Sequence, residues 1–130
     1  MTKEKFDISQ KAIIVSVEVE ADDIASELDF IVDTGSPETL FSENAIRIIG
    51  YTPVDSIEDV TIQTVSGSSK AYRYVIDRIS ALGVTKRNLK IISHPMPTGS
   101  GAHGLLGLDF FENTKLTIDF KTAEIMVETT

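Results

Sequence analysis

Apolar and polar side chains change places every second residue over much of this chain, and no stretch keeps a 3.6-residue apolar period long enough for a crossover helix. In residues 11–20, Ile13, Val15, Val17 and Val19 share one face, and Ser16, Glu18 and Glu20 the other. Leu28, Phe30 and Val32 then oppose Asp29, Ile31 and Asp33 in residues 27–33. Two half-buried strands joined by polar residues 21–26 make a hairpin. Residues 59–65 and 70–76 are β-branched and aromatic segments around Ser66, Gly67, Ser68 and Ser69, which reads as the tip of a second hairpin. Gly83 breaks that run, residues 88–93 make a further apolar strand, and residues 115–120 and 123–128 alternate around Lys121 and Thr122. Ser42 is placed to cap a helix over residues 43–49 that closes at Gly50, and residues 108–112 suffice for one more helical turn. Strands this short, with no βαβ crossover available, predict an all-β fold: a closed antiparallel barrel with one or two short helices, in one domain over residues 1–130.

Composition narrows the function classes. At 130 residues with 42% hydrophobic side chains, a single core can form without covalent staples. The absence of cysteine excludes a disulfide framework, thiolate nucleophiles and Cys-ligated metals. A net charge of −8 repels polyphosphate, so nucleic acid is not an expected partner. Nowhere do eighteen apolar residues follow one another, and the first ten carry no apolar run, so the expectation is an untargeted cytoplasmic chain with no membrane partner.

The stretch that carries chemistry is residues 28–42, LDFIVDTGSPETLFS, where an acid ends a strongly apolar strand. Desolvation there raises the cost of ionising Asp33 unless hydrogen bonds to the carboxylate offset it. Thr34 and Ser36 supply hydroxyls, and Gly35 permits a tight turn whose amides can point at the carboxylate. Asp, Gly and Ser are also common turn formers, so the tripeptide alone leaves a plain strand-end turn open. Far along the chain stands a second element, Gly104-Leu105-Leu106-Gly107-Leu108-Asp109-Phe110-Phe111, followed by the last hairpin.

Taken in order, the opening hairpin, Asp33-Thr34-Gly35-Ser36, a short helix, a flap-like hairpin and Leu105-Leu106-Gly107 resemble a retropepsin-like aspartic protease subunit over nearly the whole chain. The run GLLGLDFFENTKLTIDF is especially similar to the non-viral members. That resemblance implies an aspartic endopeptidase acting on a peptide or protein substrate, with no metal or cofactor. Such proteolysis uses two carboxylates sharing a proton, and this chain has one Asp-Thr-Gly, so the resemblance implies a homodimer that pairs two Asp33 side chains. It further implies that Thr34 bonds across the dimer axis and that Gly35 lends its carbonyl to substrate. The flap tip at Ser66, Gly67 and Ser68 would close over the peptide, and Leu105 and Leu106 would wall the subsites. The different-class alternative is a catalytically silent dimerisation or peptide-binding module.

Some residues depart from the pattern or act as decoys. Pro37 and Leu108 stand where retroviral members carry an Asp and an Arg that pair. A Ser36 hydroxyl donated to the outer oxygen of Asp33 would favour the ionised form and shift activity toward acid. Glu38 reads as a solvated carboxylate. Tyr72 and Tyr74 share a face of the returning strand, where they line a flap or pack across strands. Residues 99–104 match G-x-G-x-x-G, but no adequate helix follows, so no dinucleotide site is expected. His94 and His103 have no partners at metal-ligand spacing.

Overall fold

The computed structural model describes residues 1–96 and 101–129. Its centre is a ring of six strands. β2 (Ile14–Ala21) and β3 (Ile24–Val32) form a hairpin whose turn, Asp22-Asp23, has φ of 50° and 66° at its two residues, the arrangement whose twist matches the flanking strands. Their alternation is realised as read: Val15, Val17, Val19, Leu28, Phe30 and Val32 are all buried. β4 (Leu40–Phe41), β6 (Gly67–Ala81), β7 (Val84–Ser93) and β8 (Gly104–Leu106) continue the ring in the order β2-β3-β8-β4-β7-β6. It closes where Glu18, Val19 and Glu20 of β2 pair with Ser80, Ile79 and Arg78 of β6. Arg78 spans that seam, bonding the carboxylates of both Glu18 and Glu20.

The ring is antiparallel at its hairpins but not throughout. β3 runs parallel to β8, and β4 parallel to β7, because β8 arrives late in the chain and inserts between strands laid down early. Gly104 permits that insertion. A Cβ there would run into the Leu40 carbonyl oxygen and the ring of Phe30. The largest buried side chains of the core include Phe30, Phe41, Tyr74 and Phe110, with Phe30 and Phe41 edge-to-face at 5.0 Å.

Two elements lie outside the ring. β5 (Glu58–Thr64) pairs with the first half of β6, from Glu58 against Arg73 to Thr64 against Gly67, and so projects as a hairpin. β1 (Thr2–Lys5), β10 (Glu124–Thr129) and β9 (Thr114–Asp119) form a separate antiparallel sheet in that order, seated on the core through Ile125 and Val127. β1 carries no apolar alternation to announce it. The helix α1 (Glu43–Ile48) starts at Ser42, whose hydroxyl accepts the Ala45 N–H at 3.0 Å, and ends before Gly50 at φ 88°. Among the described residues no helix is long and apolar enough to cross a membrane.

Three local readings need correction. The projecting hairpin turns at Val65 and Ser66, not over Ser66 to Ser69: Gly67, at φ 121°, already pairs with Thr64, and Ser68 pairs with Gln63. Gly83 is not a gap between strands but half of a two-residue turn with Leu82 (φ 54° and 76°), so β7 starts at Val84 rather than Asn88. Residues 108–113 form successive turns in place of a helical turn, closed by Phe110 N–H to the Gly107 carbonyl and Phe111 N–H to that of Leu108. The second short helix is instead a 3-10 turn, Pro53–Asp55, held by a reciprocal cap between Thr52 and Asp55. Residues 97–100, which include the first two positions of the glycine pattern at 99–104, lie outside the described residues.

Candidate active site

Asp33 is the first residue past β3, held there by its N–H on the Leu106 carbonyl at 3.0 Å. The chain then turns, Ser36 N–H returning to the Asp33 carbonyl at 3.1 Å, and the Gly35 amide donates to Asp33 Oδ1 at 3.0 Å. Nothing bulkier fits easily at Gly35, since a Cβ would stand 3.2 Å from that oxygen. Asp33 is half-buried, while Thr34 and Gly35 are exposed on the rim of the turn. Oδ2 receives no hydrogen bond from a described residue, leaving one carboxylate oxygen open to a ligand.

Ser36 does not reach the carboxylate. Its hydroxyl donates to the Glu38 carbonyl at 2.7 Å, because the tight turn brings that oxygen closer than the Asp33 side chain. The basis for an acid shift through Ser36 is removed. Glu38 is not simply solvated either, for its carboxylate accepts a hydrogen bond from Arg73 Nη1 at 2.7 Å, while Arg73 Nε donates to Glu58 Oε1 at 2.7 Å. The carboxylates hold Arg73 above the usual guanidinium range, the bond to Glu38 being the largest cause. One arginine therefore ties the loop after Asp33 to the base of the β5–β6 hairpin.

The two leucines of β8 part company. Leu106, opposite Val32, is fully buried and belongs to the core, whereas Leu105, opposite Ile31 and Leu40, is half-buried on the other face. Ser66, Gly67 and Ser68 are exposed at the hairpin end, with Ser68 Oγ accepting the Gln63 amide at 3.3 Å. Val65, read from the sequence as the last residue of a strand, is a fully exposed apolar residue at the turn. Tyr74 is buried in the core and stacks on Tyr51 at 5.9 Å, and Tyr72 lies half-buried against that core beside Lys70. They line a cavity of about 430 Å³ under α1, with Ile46 and Pro53. Burial raises both the Tyr51 and Tyr74 phenols above their ordinary range. His103 is structural, its Nδ1 accepting the Asp29 N–H at 3.1 Å.

A half-buried carboxylate at a strand end, an amide aimed at it, an apolar neighbour on β8 and a projecting hairpin together form a site suited to general acid–base chemistry on a bound chain. None of the curated proteins compared with the chain matches it. Among solved structures, a retropepsin-like aspartic protease from Rickettsia conorii superposes with a TM-score of 0.72 at 19% identity, over 96% of this chain and 88% of that one. At that identity the likeness speaks for the fold, mostly β and retropepsin-like. A family model described as aspartyl protease matches residues 15–110, spanning β2 through β8 and the turn that holds Asp33. By that match, the chain belongs to the aspartyl protease family.

Proposed function

We propose that this chain is an aspartic endopeptidase that works as a homodimer, with Asp33 from each subunit facing the other across a two-fold axis. The observation that carries this reading is that Asp33 is, among the described residues of the site, the carboxylate with no side-chain partner, its hydrogen bond coming from the Gly35 amide alone. Glu38 is engaged by Arg73 and Asp109 by Thr39, so a second free carboxylate has to come from another copy. An isologous contact supplies it at no cost in sequence.

Two carboxylates at hydrogen-bond distance cannot both ionise easily, so the pair holds one proton. The ionised Asp33 takes a proton from a water whose oxygen attacks the scissile carbonyl carbon. The partner subunit's Asp33, protonated, donates to the carbonyl oxygen as the tetrahedral diol forms. Collapse breaks the carbon–nitrogen bond: the Asp33 that took the water's proton passes it to the leaving nitrogen, and a diol hydroxyl gives its proton to the partner subunit's Asp33 as the carbonyl reforms, which restores the shared proton. In this reading Thr34 contacts its counterpart across the axis and Gly35 the substrate main chain, which their exposure on the rim supports. The hairpin tip at Val65, Ser66, Gly67 and Ser68 acts as the lid, and Leu105 offers an apolar wall.

The test is cleavage of a diverse peptide library from about pH 4 to pH 7, spanning both limbs of a dyad profile, by wild type and Asp33→Asn after each is shown to form the same dimer. Cuts made by wild type and lost in Asp33→Asn are the expected result. A folded dimer that cuts nothing over that range overturns the proposal in favour of a silent peptide-binding module.

A further inference from the structure

Asp109 spends its carboxylate on a single buried neighbour. Oδ1 accepts the Thr39 hydroxyl at 2.7 Å, and Oδ2 accepts the Thr39 N–H at 3.0 Å. Thr39 is fully buried, and its Oγ1 in turn accepts the Gly107 N–H at 3.2 Å. Leu108 N–H on the Ser36 carbonyl (2.8 Å) and Asp33 N–H on the Leu106 carbonyl (3.0 Å) tie the same two segments together. β3 ends at Val32 and β4 begins at Leu40, so residues 33–38 lie outside the strands, and Thr39 meets β7 only through the Ile92 N–H on its carbonyl at 3.2 Å. Segment 106–109 replaces the missing ladder, with Asp33 at one end of the clasp and Asp109 at the other.

The donor inventory explains why an acid stands there. The Thr39 hydroxyl has a lone pair occupied by Gly107 N–H and therefore gives its proton to Asp109, and the Thr39 amide can only donate. Two donors converging on one side chain require two acceptors. A carboxylate has them; an asparagine of the same shape presents an NH₂ to one of the two donors.

We infer that Asp109 is a positioning residue for Asp33: by accepting both Thr39 protons it holds the loop that carries the Asp33 carboxylate in register with β8. This rests on Asp33 being the catalytic acid, as proposed above. Misplacing a reacting group by about 1 Å through a remote change costs on the order of 100-fold in rate. Turnover should suffer while peptide binding, made largely at the hairpin and Leu105, should not.

The test compares Asp109→Asn, Thr39→Val and the double variant with wild type, each confirmed as a folded dimer. Expected is a fall in kcat of at least about tenfold for Asp109→Asn with KM held within about twofold. The double variant should lie within about twofold of Thr39→Val alone, since both break one link. Unchanged kcat in Asp109→Asn, or losses that multiply, overturn the inference. The amide NMR signal of Gly35, which donates to Asp33 Oδ1, decides the matter separately from activity. Should wild type not cleave at all, the protease proposal falls, and the Gly35 signal still judges the clasp. A Gly35 shift in Asp109→Asn larger than the shifts in the β9–β10 hairpin supports it, and an unmoved signal refutes it.

Discussion

Gly107→Ala puts the packing argument at its sharpest. A methyl group at this position would stand 2.6 Å from the carbonyl carbon and oxygen of Glu38 and 2.7 Å from the Ser36 carbonyl oxygen. All three are backbone atoms, so no side chain can swing aside. Ordinary contact starts near 3.4 Å, and the two segments would have to part by about 0.8 Å to reach it. The Leu108 N–H to Ser36 carbonyl bond, now 2.8 Å, would open to about 3.6 Å and cease to count as one. Overpacking costs about 1–3 kcal/mol and the lost bond about 1 more, for a total of roughly 2–4 kcal/mol. Gly50→Ala is the comparison, because a Cβ there meets nothing and only its φ of 88° opposes the change, a cost of about 1 kcal/mol. Urea unfolding followed by far-ultraviolet circular dichroism gives both numbers from the midpoints at constant m. A Gly107→Ala loss no larger than that of Gly50→Ala would refute the reasoning, for it would mean that the two segments separate freely.

Two further predictions concern the turns. The N–H groups of Thr122 and Lys121 hold the Asp119 carboxyl below its usual range, the Thr122 bond being the largest cause. A depressed folded pKa gives stability that is complete above the unfolded value, near pH 4, and lost as pH falls through the folded one. Melting temperature measured from pH 6 downward should therefore fall less steeply below about pH 4 in Asp119→Asn than in wild type; equal slopes would contradict the assignment. Asp23→Gly should raise stability by about 0.5–1 kcal/mol, because Asp23 sits at φ 66° where glycine carries no Cβ penalty. An unchanged urea midpoint would show that the aspartate is unstrained there.

How far the fold was legible can be read from particular elements. Val15, Val17 and Val19 against Leu28, Phe30 and Val32 gave the first hairpin and its buried face, since a strand's two faces are a local property of period two. Ser42 and Gly50 marked the helix limits for the same reason: a cap is a bond between neighbours. The projecting hairpin was legible as a hairpin, but its turn fell two residues early. A glycine flanked by serines does not say which pair takes the corner, and the register of β5 on β6 does. β1 was illegible because its burial comes from pairing with β10, more than a hundred residues away in the chain.

The sequence by itself determined that this chain is built mainly of strands, that an apolar strand ends in an acid followed by Thr-Gly-Ser, and that only one such acid is present. Those are matters of periodicity, turn chemistry and counting, all decided within a few residues. Tertiary structure alone decided that β8 lies between β3 and β4, that Leu106 belongs to the core while Leu105 faces out, and that Ser36 serves Glu38 rather than Asp33. It also decided that Thr39 and Asp109, seventy positions apart, meet through two hydrogen bonds. Such pairings depend on which distant segments close onto one core and leave buried donors facing one another, and no local pattern records that choice.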